Sequence, residues 1–211
     1  MREAAPIVFV VDDEPSVRLS MTRLLRSVDL EARTFTSAQE FLLSDRPDAP
    51  GCLILDVRLP GLSGLELQER LAAAKIDLPI IFVTGFGDIP MSVRAMKAGA
   101  IEFLTKPFRE QDLLEAIQRC IQQHRTVRVK GTELRMLQQR YALLTPRERE
   151  VFPCVTGGLI NREIATQLGT SVKTIKVHRG QVMQKMKAKS LAQLIHMAEK
   201  LGLSTALGPA F

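Results

Sequence analysis

Five side chains able to act together on an anion stand at or just beyond the ends of apolar runs. Asp12 and Asp13 follow I-V-F-V-V, Asp56 follows C-L-I-L, Thr84 follows I-I-F-V, and Lys106 follows I-E-F-L-T. A carboxylate ending a buried strand has to be solvated, paired or metal-bound, because burying it alone is very costly. Three carboxylates gathered at one point repel one another, and a divalent cation is the simplest way to hold them together. An all-oxygen set with few protein ligands and open positions suits Mg2+. A lysine ammonium and a threonine hydroxyl complete a pocket for a tetrahedral anion, with one carboxylate free to be the nucleophile.

Such a pocket needs elements that bring distant residues together. Up to about residue 123, strand-like and helix-like segments alternate. Strands are expected at Ile7–Val11, 30–35 (an edge), 53–55, 80–83 and 101–104. Pro15 opens a helix with Val17, Met21, Leu24, Leu25 and Val28 at helical spacing, and Ser37 caps a short one. Further helices are expected at 65–74, 90–98 and 111–123. Five βα repeats give a doubly wound, five-stranded parallel sheet with helices on both faces. Ligands of such sheets sit at the carboxyl ends of the strands, where all five polar residues fall.

Composition divides the chain. Residues 1–124 carry 14 Lys/Arg and 18 Asp/Glu, a net of −4, whereas residues 125–211 carry 15 and 5, a net of +10. An acidic half joined to a strongly basic one predicts two domains, the second facing a polyanion. With no Trp and one Tyr, base stacking is disfavoured and duplex binding through phosphates and a helix is favoured. No run approaches the roughly 18 apolar residues of a membrane span, and the N-terminal residues lack the apolar core of a signal peptide. A cytoplasmic protein without membrane association is expected. Cys52, Cys120 and Cys154 read as reduced core residues.

Residues 124–131 are basic and lack an apolar face, as a linker would. Leu134, Leu137, Tyr141 and Leu144 then predict a short amphipathic helix, either a connector or half of a two-helix dimer pairing. After Thr145 only helices are expected. Thr145 caps the first, Pro146 opens it, and Gly157 and Gly158 end it, with a kink near Arg149 because Pro153 falls inside. Asn161 caps a second helix, Ser171 a third reaching about Met186, and Ser190 a fourth. A short helix, a glycine turn and a longer basic helix form the pattern of a helix-turn-helix.

The order D-D-E-P, L-D-x-R-L-P-G-x-S-G, V-T-G and K-P-F resembles a response-regulator receiver domain, flavodoxin- or CheY-like in fold, over residues 6–123. The resemblance implies phosphoryl transfer from a phosphohistidine of a sensor histidine kinase onto Asp56, with Mg2+ required. It implies that Asp13, the Asp56 carboxylate and the Arg58 backbone carbonyl ligate the ion, with Asp12 acting mainly through water. Thr84 would bond the phosphoryl oxygen, Lys106 would pair with it, and Phe103 matches an aromatic switch that swings inward when Thr84 moves. The Lys106–Pro107 bond is one the family holds cis. Phosphatases similar to the haloacid dehalogenases also use a strand-end Asp, but need an acid two residues on. Arg58 stands there instead. Only slow self-dephosphorylation by an in-line water is left, its rate tuned beside Arg58 and Phe86.

The segments L-T-P-R-E-R-E-V, N-R-E-I-A-x-x-L-G-x-S-x-x-T-I-K-V-H-R and M-x-K-M-x-x-K-S resemble the four-helix LuxR/NarL-type DNA-binding domain over residues 143–203. Residues 124–142 are then a helical linker. The helix from Ser171 is expected in the major groove, with Lys176 and Val177 at base-contacting positions of the family. Gly180 departs from a position often basic there, so Arg179 and Gln181 are expected to contribute. Thr174 belongs to the same face, while Lys173, His178, Lys185, Lys187 and Lys189 read as phosphate contacts.

Together these features predict a two-domain regulator of the FixJ type. Phosphorylation of Asp56 would dimerise it through the face around residues 90–123 and drive binding to double-stranded promoter DNA, with RNA polymerase a further partner. Two other classes remain: a constitutive DNA-binding protein that uses the receiver only to dimerise, and a phosphate sink with weak DNA contact.

Overall fold

The structure, a computed structural model, describes residues 4–85 and 87–203. It consists of two compact units that divide between Val129 and Lys130.

In the first unit, β1 (Ile7–Val11), β2 (Glu31–Phe35), β3 (Gly51–Leu55), β4 (Ile80–Thr84) and β5 (Glu102–Thr105) form one sheet in the order β2-β1-β3-β4-β5. Every neighbouring pair is parallel. The three central strands are buried at every position, which accounts for their continuous apolar runs, since helices cover both faces. Between the strands run α1 (Pro15–Ser27), α2 (Ala38–Leu43), α3 (Gly64–Ala73) and α4 (Ile89–Lys97). Alternate strand residues feed two cores. Phe9, Leu53, Leu55 and Phe82 join α2, α3 and α4 on one face, and Val8, Val10, Cys52 and Ile81 join α1 and the next helix on the other. Ser63 and Glu66 close a capping box at the start of α3, and Ser37 and Asp88 cap α2 and α4. The three cysteines are buried and free of disulfides.

The next helix, α5 (Glu110–Ala142), is a single helix of 33 residues. The sequence pattern predicted one helix ending near 123, a basic linker and a second short helix. Distant groups hold side chains of the stretch that lacks an apolar face. His124 Nδ1 lies 2.9 Å from the Gly51 amide and 3.0 Å from its carbonyl, and Arg128 Nη2 donates to the Asp48 carbonyl at 2.9 Å. Burial favours the neutral form of His124, whose pKa lies below the usual range. Leu137 and Tyr141, near the other end of α5, pack in the second unit.

The second unit contains α6 (Pro146–Thr156), α7 (Asn161–Gln167), α8 (Val172–Met186) and α9 (Leu191–Lys200). Val151, Phe152, Ile164, Ile175, Val182, Met186, Leu194 and Met197 make its core. Thr145 and Glu148 form the capping box that starts α6. The helix continues through Pro153 and closes with a bond from Gly157 N–H to the Pro153 carbonyl at 2.8 Å. Asn161 is the first residue of α7 rather than its cap. Glu163 reaches back to accept from the Ile160 amide at 2.9 Å, and this fixes the helix entry without the Asn161 side chain.

Candidate functional site

Register sets the first site. Val11 pairs with Leu55 across β1 and β3, so the next residues, Asp12 and Asp56, leave adjacent strands at one level. Leu55 pairs with Phe82, and Thr84 with Thr105, so Thr84 and Lys106 arrive at the same edge of the sheet. Asp12, Asp56 and Thr84 are buried, at 3%, 6% and 0% exposure. Asp13 is exposed.

The carboxylates converge. Ligand oxygens of Asp12, Asp13 and Asp56 all lie within 4.8 Å of one another. Lys106 Nζ donates to Asp12 Oδ2 at 2.9 Å and to Asp56 Oδ2 at 3.3 Å. The second oxygens are also held, Asp12 Oδ1 by the Glu14 amide and Asp56 Oδ1 by the Arg58 amide, each at 2.9 Å. Burial pushes the Asp12 carboxyl above the usual aspartate range, against the opposing pull of Lys106 and the Glu14 amide. Burial alone would lower the pKa of Lys106. Asp12 and Asp56 outweigh it and raise the value above the ordinary one. An all-oxygen cluster with one open, exposed carboxylate fits a hard divalent cation of the Mg2+ kind.

The turn after Asp56 shapes the backbone beside this cluster. The Gly64 amide donates to the Val57 carbonyl at 2.9 Å. A Cβ at Gly64 would stand 2.1 Å from the Asp56 carbonyl oxygen, so only glycine fits there. The Arg58 side chain is exposed, while its amide faces Asp56. The Lys106–Pro107 peptide is cis, as expected. Phe103 is partly buried against the Phe82 ring, with centroids 6.0 Å apart. Phe86 lies outside the described residues. Arg18 escaped the sequence reading: it donates to the Asp12 carbonyl at 2.7 Å and is signalled only by its position one helical turn after Glu14.

The second site is the exposed side of α8. Ile175, Val182 and Met186 are buried against the core. Lys173, Lys176, Val177, Gln181, Lys187 and Lys189 are exposed. Ser171 caps the helix by accepting from the Thr174 amide at 3.1 Å, and its hydroxyl lies 2.8 Å from that of Thr174. Two basic residues expected to contact DNA also hold groups of their own fold. Lys185 Nζ donates to the buried Glu148 at 2.6 Å, and Arg179 Nη1 donates to Asn161 Oδ1 at 3.1 Å. Burial acts to raise the pKa of Glu148, but the bonds from Lys185 and the Thr145 amide bring it below the usual range. The pair was not visible in sequence because its members are 37 residues apart. Among the described residues no helix is long and apolar enough to cross a membrane.

Comparison with known proteins matches the two segments of the chain that carry these sites. The family model described as "Response regulator receiver domain" matches residues 8–118, and that described as "Bacterial regulatory proteins, luxR family" matches residues 142–198. The chain is 52% identical to Nodulation protein W of Bradyrhizobium diazoefficiens over 94% of this chain and 87% of that protein. It is 40% identical to the transcriptional regulatory protein FixJ of Rhizobium meliloti over 96% and 98%. Among solved structures, the response regulator StyR matches with a TM-score of 0.85 and 51% identity, covering 93% of this chain and all of that one.

Proposed function

Since the chain belongs to the response-regulator family, with a receiver domain followed by a luxR-family DNA-binding domain, we propose that it is switched by phosphorylation of Asp56. The observation that carries this reading is the position of Lys106, within hydrogen-bond reach of both Asp12 and Asp56. A sensor histidine kinase is the proposed donor. An Asp56 carboxylate oxygen attacks phosphorus, the P–N bond to the donor imidazole breaks, and the imidazole leaves with the electron pair.

Each residue has a local task in this scheme. Bonds from the Arg58 amide and Lys106 fix the Asp56 carboxylate, which removes rotational freedom from the nucleophile. Lys106 then follows the negative charge onto the phosphoryl group, and the Thr84 hydroxyl donates to a phosphoryl oxygen. Asp12, Asp13, Asp56 and the Arg58 backbone carbonyl would hold Mg2+, which neutralises charge on the transferring group when bound. Movement of Thr84 lets Phe103 turn inward. The same site, attacked by an in-line water, loses its phosphoryl group slowly. The protein is therefore a regulator with self-phosphorylating chemistry and not a turnover enzyme.

The output is DNA. Ile89, Val93 and Met96 leave an exposed apolar row on α4, at spacing that places them on one face. We assign to it, with β5 and the start of α5, the pairing of two phosphorylated chains. The functional division then runs 6–123 for the receiver, 124–142 for a helical linker and 143–203 for the DNA-binding domain. Promoter DNA would meet Lys173, Thr174, Lys176, Val177, Gln181, Lys187 and Lys189. Arg179 and Lys185 would join them while also tying α8 to α7 and α6. A cytoplasmic location fits such partners, and RNA polymerase is a third.

Phosphopeptide mapping tests the site directly. Incubation of the full chain with Mg2+ and a small-molecule phosphodonor should label Asp56 alone, and chelation of the metal should prevent it. Labelling of another residue, or undiminished labelling of Asp56→Asn, would remove the basis of the scheme.

A further inference from the structure

Gly180 stands in the interior of α8, where glycine is less favourable than alanine because its backbone loses more freedom on ordering. The fold itself supplies no reason for it. Its backbone is helical, and a Cβ built there meets nothing within 4 Å beyond the backbone of its own helix. Gly64 is the contrasting case, with the Asp56 carbonyl oxygen 2.1 Å from its Cβ position. Gly131 in α5 shares the open surroundings but lies outside the basic face of α8.

The surroundings of Gly180 are specific. Lys173, Lys176, Val177 and Gln184 stand seven, four and three residues before it and four after it, so they flank it on one face of the helix. All four are exposed, and the buried residues Ile175, Val182 and Met186 lie on the opposite side. The missing side chain thus bares helix backbone at the centre of a lysine-bearing surface, and a glycine allows close approach of a partner to that backbone.

We infer that Gly180 is a specificity-determining residue: it lets the backbone of α8 approach the duplex more closely than any side chain would permit. That approach brings Lys176, Val177 and Gln184 to the base edges, and it selects sites whose groove admits the bare helix. The inference rests on α8 being the helix that enters DNA.

The test uses the phosphodonor-treated full chain and duplexes selected by the wild-type protein from a random-sequence pool. Gly180→Ala should raise the Tm of the DNA-binding unit by about 4 °C. It should also weaken binding to the selected duplexes by about ten-fold, with binding to random-sequence DNA little changed because phosphate contacts carry it. The two effects have opposite sign, so loss of folding cannot mimic the result. Gly180→Lys should tighten binding to random-sequence DNA while weakening it on the selected duplexes. Unchanged or tighter binding of the selected duplexes by Gly180→Ala overturns the inference, and so does a lowered Tm. Failure of the underlying reading looks different: the wild-type chain would enrich no sequence, or Lys176→Ala would bind the selected duplexes as well as wild type.

Discussion

The ammonium group of Lys106 stands 3.3 Å from the carboxylate of Asp56, fifty positions earlier in the chain. The same nitrogen holds Asp12 at 2.9 Å. One cation thereby serves two of the three carboxylates that are the proposed metal ligands, and it competes with a metal for their charge. At a partly exposed site, unit charges 4 Å apart interact by about 4 kcal/mol, so the competition is large enough to measure.

Lys106→Met should therefore bind Mg2+ more tightly than wild type, by at least about ten-fold, since each 1.4 kcal/mol of relieved repulsion is a factor of ten. Titration calorimetry is the suitable readout, because the chain has no Trp to report binding by fluorescence. Weaker or equal Mg2+ affinity would mean that Lys106 does not oppose the ion.

The pair of Lys185 and Glu148 makes a prediction about acid stability. Glu148 is buried, closes the cap of α6 and accepts from Lys185 at 2.6 Å. Its pKa is lower in the folded chain than the ordinary value of 4.5, so the unfolded chain takes up its proton first. The stabilisation is present above that value and fades as pH falls through the folded pKa. Glu148→Gln should cost the DNA-binding unit about 1 to 3 kcal/mol near neutral pH, and less as the pH falls below 4.5. Urea unfolding across that range checks it, and a deficit that stays constant or grows in acid would contradict it.

The exposed row on α4 separates modification from output. Val93→Asp places a charge in the apolar face formed with Ile89 and Met96, remote from the carboxylate cluster in sequence. Phosphorylation of Asp56 should proceed as in wild type, while the phosphorylated variant should sediment as a monomer. A phosphorylated dimer of Val93→Asp would relocate the pairing surface.

Much of this was legible in the sequence, for particular physical reasons. Strands buried on both faces must be continuously apolar, so the polar residues at the ends of β1, β3 and β4, Asp12, Asp56 and Thr84, stand out, while Lys106 follows the half-buried β5. Capping residues such as Ser63, Thr145 and Ser171 act within four positions, which is why the helix starts they set could be read locally. What escaped notice depends on distant partners. Residues 124–131 have no apolar period, and their side chains are engaged by a bond that His124 accepts from the Gly51 amide and one that Arg128 donates to Asp48. Lys185 and Arg179 look like DNA contacts in a basic helix, and only the packing of α6 and α7 against α8 shows that Glu148 and Asn161 engage them. Asn161 has the residue type of a cap, but Glu163 supplies the bond.

The central claim is that one carboxylate controls the basic domain. The most direct measurement is the affinity of the full chain for a selected duplex, by fluorescence anisotropy, with and without Mg2+ and a phosphodonor, in wild type and in Asp56→Asn. The account predicts that phosphodonor and Mg2+ together tighten wild-type binding by at least ten-fold, and that Asp56→Asn stays at the untreated level. Equal affinity with and without phosphodonor in wild type would contradict it, and would leave a DNA-binding protein that the receiver does not switch.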